Sequence, residues 1–262
     1  MSEASLTPSA GASRSGFDPG PGIQFVLILD VALRLLIWCA CLTVAACLTT
    51  RWTGPLAFSW SGLSQWGTTW SWAMRAALFV LLFNAAYVVA LVVLQLVVRR
   101  PRHGHYSLSG ALPDVNLLYA CVLALLIKAR YQPPFPGFLV PQFAQIAPFR
   151  WLLGIRFGPH SRSVFLTDPV IMDPHDVTIG RNVTIGYQSS IAGHLEERDA
   201  VTIAPTVIED DVLIGGYSAV AGGVHIKRGA LIGAHSFVRP GTVVGENEFW
   251  AGVPAKKIKD LD

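Results

Sequence analysis

The run His194-Leu195-Glu196-Glu197-Arg198-Asp199 sets an imidazole beside three carboxylates and a guanidinium within six residues. Near neutral pH an imidazole can take a proton from an attacking hydroxyl or amine, so His194 is a candidate general base. The run also breaks a strict pattern on either side of it. So charged a segment cannot supply the apolar face its neighbours supply, and it is expected to project as a loop from a rigid scaffold, where sites concentrate. His160, His175, His225 and His235 lie in the same half of the chain; His225 and His235, ten apart on neighbouring hexads, are at positions suited to corners or solvent.

The elements that must position His194 are written in a period of six. Ile208, Ile214, Val220, Ile226, Ile232, Val238, Val244 and Trp250 recur every six residues, and Thr206, Val212, Ser218, Val224, Ala230, Ser236 and Thr242 precede them by two. A helix repeats every 3.6 residues and a strand every two, so this period belongs to neither. It is the hexapeptide signature of a parallel β-helix, in which three short faces make a coil of about 18 residues that buries its apolar position against the coils above and below. Gly215, Gly233 and Gly245 follow the apolar residue, where a corner would crowd a Cβ. Earlier coils show Phe165, Ile171, Val177 and Val183 in one register and Ile179, Ile185 and Ile191 in its neighbour. Ile191 and Ile208 are 17 residues apart, one short of a coil, and the charged run lies in that gap.

The N-terminal half has a different composition. Over the whole chain only 14% of residues are charged, 52% are apolar and the mean hydropathy is +0.46, which places part of the chain in lipid. A net charge of +3 without a basic stripe excludes a nucleic-acid footprint. Cys39, Cys41, Cys47 and Cys121 sit in apolar runs and read as reduced thiols. The division expected is a disordered tail over 1–22, a membrane region over 23–156 and a β-helix over 157–262. Within the membrane region, spans are expected at about 23–48 and 73–98, an interfacial or re-entrant helix at about 114–130, and a basic amphipathic linker at 149–156. The linker between the spans carries tryptophans suited to an aromatic belt. Asp30 and Arg34 are four apart on one helical face, either as a functional pair or as residues at the entry interface. The cluster Arg99 to His105 puts both termini in the cytoplasm by the positive-inside bias, whereas a short third span over 114–130 would put the β-helix outside.

Read together, "IAGH" before the charged run, "IGGYSAV", "IGAHSFV" and the terminal "WAGVPAKKI" resemble the hexapeptide-repeat acyltransferases, especially the maltose and galactoside O-acetyltransferases, over about 164–259. The resemblance implies a left-handed β-helix and a homotrimer whose acetyl-CoA sites lie between subunits. It matches His194 to the catalytic histidine, Gly216 and Ala234 to positions lining the pantetheine arm, and Lys256 and Lys259 to basic positions near the nucleotide phosphates. Asp168 stands where that family has an acceptor-cleft asparagine, and Arg239-Pro240 stands where it has Thr-Lys, with Arg239 able to compensate. The membrane-plus-β-helix layout, with LTDPVIMDPHDVTIG, is also similar to the C-terminal region of polylysine-synthetase-like peptide ligases, whose donor is a carrier-bound thioester. The three-histidine zinc site of carbonic-anhydrase-like β-helices resembles a pattern with two ligands five apart; no such pair occurs here, and no metal is expected.

These readings combine into a multi-pass inner-membrane acyltransferase with its β-helix on the cytoplasmic side. It is expected to use acetyl-CoA or another acyl thioester and to act on a hydroxyl or amine of a lipid-linked sugar, a glycan or a membrane-synthase product. A peptide-ligase-like transfer of an aminoacyl group and a non-catalytic scaffold for a membrane partner stand as alternatives.

Overall fold

The structure is a computed structural model that describes residues 21–54, 66–107, 113–128, 156–157, 165–166, 169–197 and 200–261. The tail to residue 20, the linker over 149–155, His160 and Asp168 lie outside the described residues.

Two-residue strands follow one another at hexad spacing through the C-terminal half and stack as three parallel faces. The first face carries Val177–Ile179, Thr206–Ile208, His225–Ile226 and Val243–Val244. Thr184–Ile185, Leu213–Ile214, Leu231–Ile232 and Glu248–Gly252 form the second. The third holds Val170–Ile171, Ser190–Ile191, Ala219–Val220 and Phe237–Val238. Stacking runs at 18 residues per coil, as in Leu213 on Leu231 and Leu231 on Phe249. The expected apolar positions Ile179, Ile185, Ile191, Ile208, Ile214, Val220, Ile226, Ile232, Val238 and Val244 are all buried in one continuous core. Burying each isoleucine stabilises the coil by roughly 1.5–3 kcal/mol. The small positions preceding them form a second inner ladder: Ser189 Oγ donates to the Gly215 carbonyl and Ser218 Oγ to the Gly233 carbonyl, both at 2.9 Å, so the buried hydroxyls are satisfied. Gly215 is demanded by crowding: a Cβ there would stand 2.4 Å from the Ala234 backbone nitrogen.

The break in the repeat has a different geometry from the one expected. Ile191 and Ile208 are not equivalent positions one residue short of a coil, because they lie on neighbouring faces, third and first. Ser190 stacks on Ala219, 29 residues on, where Ala219 stacks on Phe237 after 18, so the break is one hexad lengthened by eleven residues. The insertion is also not an irregular loop. It folds into an antiparallel hairpin of His194–Glu196 on Ala200–Ile203, joined on its far side by Gly104–Ser107 from the N-terminal half.

That half is helical. Helix α1 spans Pro21–Thr53, α2 spans Trp66–Val97 and α3 spans Val115–Lys128. The first two are longer than the spans expected from hydropathy, since part of the tryptophan-rich linker continues each helix; Trp52 and Trp70 are exposed on these extensions. Both contain a stretch long and apolar enough to cross a membrane by length and composition, Gln24–Thr53 and Thr69–Val97. Their packing surface is a narrow stripe in which Ile37, Cys41 and Ala45 meet Phe83, Tyr87 and Leu91, with Leu125 and Leu126 of α3 closing one end. Other large apolar side chains of α1 and α2, among them Leu36, Leu81 and Val97, are exposed. The 14 residues of α3 reach about 21 Å, short of a hydrocarbon core of about 30 Å.

Candidate active site

His194 begins its hairpin at the corner that follows the third face. Its Nδ1 is hydrogen-bonded to Asp173 Oδ2, which also accepts the Gly193 amide at 3.0 Å. Asp173 itself is buried at the edge of a short 3-10 turn, Pro174–Asp176, where Pro174 favours the tight turn that brings this carboxylate under the corner. With Nδ1 engaged by a carboxylate, the neutral imidazole carries its proton there and presents Nε2 as the acceptor. Nε2 lies on the other side of the ring, 3.6 Å from Oε1 of the exposed Glu196. The Asp173 hydrogen bond raises the His194 pKa above its ordinary value; burial pulls it down but is outweighed, with the Asp173 and Glu196 charges adding to the rise.

Two glycines make room for this arrangement. A Cβ on Gly193 would meet the Asp176 Cβ at 2.7 Å, and one on Gly222, in the coil above, would meet the His194 carbonyl at 2.7 Å. The histidine therefore rests on bare backbone, and its main chain cannot shift toward the coil above.

A second tier lies behind the pair. Asp176 is buried and receives His103 Nε2 on Oδ1 at 3.0 Å; His175 Nε2 lies 3.2 Å from Oδ2 without the alignment of a hydrogen bond. Burial alone would raise the Asp176 pKa, but His175 and His103 together hold its carboxyl below the usual range. His105 reaches Thr202 Oγ1 at 2.9 Å and Glu197 at 3.5 Å. His103 and His105, legible in the sequence only as part of a basic cluster, thus serve the hairpin. Asp173 and Asp176 were present in the DPHD tetrapeptide, and two carboxylates in a run otherwise patterned for burial were the signal that could have singled them out.

The other candidate residues are distributed over the coil. Arg239 lies on the His194 corner two coils above, about 10 Å along the axis at a strand spacing of about 4.8 Å. Gly216 and Ala234 stack at the next corner, between the second and third faces, beside an exposed ladder in which Tyr217 and His235 are parallel at 5.1 Å. Lys256 and Lys259 are exposed on the terminal strand Ala255–Asp260, which folds back antiparallel over the second face. Lys257 between them is tied to Glu248 and Asp260, both at 2.7 Å. One chain therefore does not gather His194 with Gly216, Ala234, Lys256 and Lys259. His175 is buried beside Asp176 with its Nδ1 unpartnered, and His225 is paired with Glu209 at 2.6 Å. Among the described residues, no group of three or more His, Cys, Asp or Glu side chains could hold a metal ion.

A family model for bacterial transferase hexapeptides (six repeats) matches residues 205–240. "Putative acetyltransferase YvoF" of Bacillus subtilis (strain 168) is 32% identical over 123 residues, which are 42% of this chain and 72% of that protein. The chain belongs to the hexapeptide-repeat acyltransferase family. A second member of that family, a 2,3,4,5-tetrahydropyridine-2,6-dicarboxylate N-acetyltransferase of Staphylococcus aureus (strain bovine RF122 / ET3-1), is 41% identical over 86 residues; the match spans 31% of this chain but only 32% of that enzyme. Among solved structures, a galactoside acetyltransferase in complex with coenzyme A aligns at 19% identity with a TM-score of 0.41, covering 58% of this chain and 86% of its own. A hexapeptide-repeat acetyltransferase of Vibrio cholerae complexed with acetyl coenzyme A aligns at 21% identity and a TM-score of 0.39, covering 57% and 91%.

Proposed function

We propose that this family member is a membrane-anchored acyltransferase that moves an acetyl or similar short acyl group from acyl-CoA to a hydroxyl or amine of a membrane-associated acceptor. The observation that carries the reading is the His194–Asp173 pair, with Nδ1 held by the carboxylate and Nε2 beside the exposed Glu196, on a hairpin tied to the strand that follows an apolar helix. Nε2 takes the acceptor proton as the oxygen or nitrogen attacks the thioester carbonyl. The tetrahedral intermediate then collapses with cleavage of the C–S bond, and the leaving thiolate recovers the proton from the imidazolium. Asp173 orients the ring and stabilises its charged form without itself accepting the proton, as in other base-orienter pairs.

The donor site is proposed to form between subunits of a left-handed, three-fold assembly. Gly216 and Ala234 of one subunit would face His194 of the next, with Arg239, Lys256 and Lys259 serving the nucleotide phosphates and Asp168 the acceptor side. The wide separation of these residues within one chain supports that reading, because a cyclic assembly brings different corners together. The chain is proposed to be a multi-pass inner-membrane protein divided at 1–22, 23–156 and 157–262, with the strand Gly104–Ser107 docked on the β-helix. Helix α3 does not cross the bilayer in this reading: the strand before it and the hairpin after it belong to one sheet, so both lie on one side. The β-helix then faces the cytoplasm with both termini.

The test is transfer of radiolabel from acetyl-CoA to membrane extract by the purified full chain. Label entering a lipid or glycan fraction with the wild type but not with His194→Ala supports the reading. Equal labelling by both proteins, or none by the wild type across extracts of its own host, overturns it.

A further inference from the structure

A cavity of about 240 Å³ opens between α1 and α3, walled by Val26, Leu33, Leu118, Val122 and Leu125, with Asp30, Arg34 and Cys121 on its lining. Three features set it apart from the lipid-facing surface around it. The first is the ion pair: Arg34 Nε donates to both Asp30 oxygens at 3.0 and 3.1 Å, on a helix whose neighbouring side chains are apolar. Ionisable side chains in such a segment are disfavoured unless they serve each other or a ligand. The second is position. Arg102 is hydrogen-bonded to Asn116 in the first turn of α3, and the next residue, His103, to Asp176, three residues from the carboxylate that holds His194, so the α3 end of the cavity adjoins that site. The third is charge. The exposed basic run Arg99, Arg100 and Arg102 is tied to the first turn of α3, where the Arg102 amide donates to Asn116 Oδ1 at 3.4 Å, within about one and a half turns of Leu118 and Cys121.

Resting on the acyltransferase reading above, we infer that the α1–α3 cavity binds the acceptor itself, as an amphiphile whose hydrocarbon chain lies between the two helices and whose phosphate is held by Arg34 and the Arg99–Arg102 run. The head group beyond the phosphate, bearing the hydroxyl or amine, then emerges beside His194. The volume suits part of a chain rather than a whole ligand, since sites for complete small molecules occupy roughly 300–1,000 Å³. Arg34, Arg99, Arg100 and Arg102 outnumber Asp30 and Asp114 at this end of α1 and α3, which favours an anionic linkage over a neutral one, through charge-assisted hydrogen bonds to phosphate oxygens. The arrangement also accounts for an anchor whose strand is built into the catalytic sheet: the helices that hold the chain at the bilayer would deliver the substrate as well.

The test uses the full-length protein in nanodiscs of phosphatidylcholine and a dodecyl phosphate carrying a diazirine on its chain, with labelled peptides identified by mass spectrometry. The expected result is labelling concentrated on α3 between Leu118 and Leu125 and on the facing part of α1, displaced by unlabelled dodecyl phosphate but not by dodecyl maltoside or inorganic phosphate. Ala124→Phe, which fills the cavity without touching a charge, should abolish the concentrated label. The double variant Asp30→Asn/Arg34→Gln, which leaves no orphan charge, should weaken displacement by dodecyl phosphate about tenfold, the loss expected for charge-assisted contacts. Even labelling over all lipid-facing positions of α1 and α2, or equal displacement by dodecyl maltoside, overturns the inference. The measurement needs no turnover, so it separates the two ideas: label on α3 with undiminished transfer by His194→Ala would remove the catalytic reading alone, and loss of transfer in that variant without label on α3 would remove this one alone.

Discussion

His103, six residues beyond the end of α2, donates a hydrogen bond at 3.0 Å to Asp176, which sits three residues from the carboxylate that holds His194. The connection from the apolar helices is thus part of the wall of the catalytic coil, and the strand that continues it, Gly104–Ser107, pairs residue for residue with Ile203 to Ala200. With α1 and α2 in a bilayer, as proposed, these contacts leave little freedom to place the two halves on opposite sides of it.

Topology is therefore the first prediction. Reporter fusions after Arg102 and at Asp262 should both read as cytoplasmic. A periplasmic signal at Asp262 with a cytoplasmic one at Arg102 would require α3 to span, and would break the sheet that joins the two segments.

Replacing His194 by alanine should lower the acyl-transfer rate by roughly 10²- to 10⁴-fold while donor affinity changes little, because proton transfer matters only in the transition state. His194→Asn should be nearly as damaging, since an amide keeps a hydrogen bond but cannot take the proton. Steady-state kinetics with separate donor-binding measurements checks both.

The pH profile follows from the partner of His194. As a base it works when neutral, so the wild-type rate should rise with pH through a midpoint above the ordinary histidine value of about 6.5, in the direction that Asp173 shifts it. Asp173→Asn removes the largest cause of that rise and leaves burial, which acts downward, so the midpoint should fall while the maximal rate drops. The same shift has a stability consequence. A raised folded-state pKa means that protonated His194 stabilises the fold below about 6.5, and that this contribution is lost as pH climbs through the raised value. Thermal melts of the wild type and Asp173→Asn should therefore differ most on the acid side of that window and converge above it.

Gly222→Ala tests the close approach of the coils. The added methyl would lie 2.7 Å from the His194 carbonyl, which cannot move without disturbing the Asp173 bond. Overpacking of this kind costs about 1–3 kcal/mol, so the melting temperature should fall by several degrees. The rate should fall further than the loss of folded protein explains. Normal turnover in the folded fraction would show that the base tolerates displacement.

Lys256 and Lys259 are exposed and have no carboxylate partner among the described residues, unlike Lys257 between them. Neutralising both should raise the apparent donor KM with a smaller change in kcat, as expected for contacts to a phosphate remote from the reacting carbonyl. Native mass spectrometry in detergent should give three chains; a fully active monomer would remove the intersubunit donor site.

The hexad register and core were readable from one dimension because a solenoid is nearly one-dimensional. Each apolar position meets its equivalents one coil away, so Ile214, Ile232 and their neighbours announce their contacts by period alone. His194 was legible for a related reason: it interrupts that period. The meaning of the interruption was not, because counting 17 residues between Ile191 and Ile208 cannot say which face each occupies, and only the stacking of Ser190 on Ala219 does. Nor could spacing pair Gly104–Ser107 with Ala200–Ile203, or bring His103 to Asp176 across 73 residues, since nothing local records a contact of that separation. Sequence determined the scaffold and the apolar helices, because those depend on repetition and composition, and it singled out the candidate histidine, because that residue interrupts the repetition. Tertiary structure alone decided which carboxylate holds that histidine and which glycine of the coil above lies against it, because both depend on what distant segments place within a few ångströms.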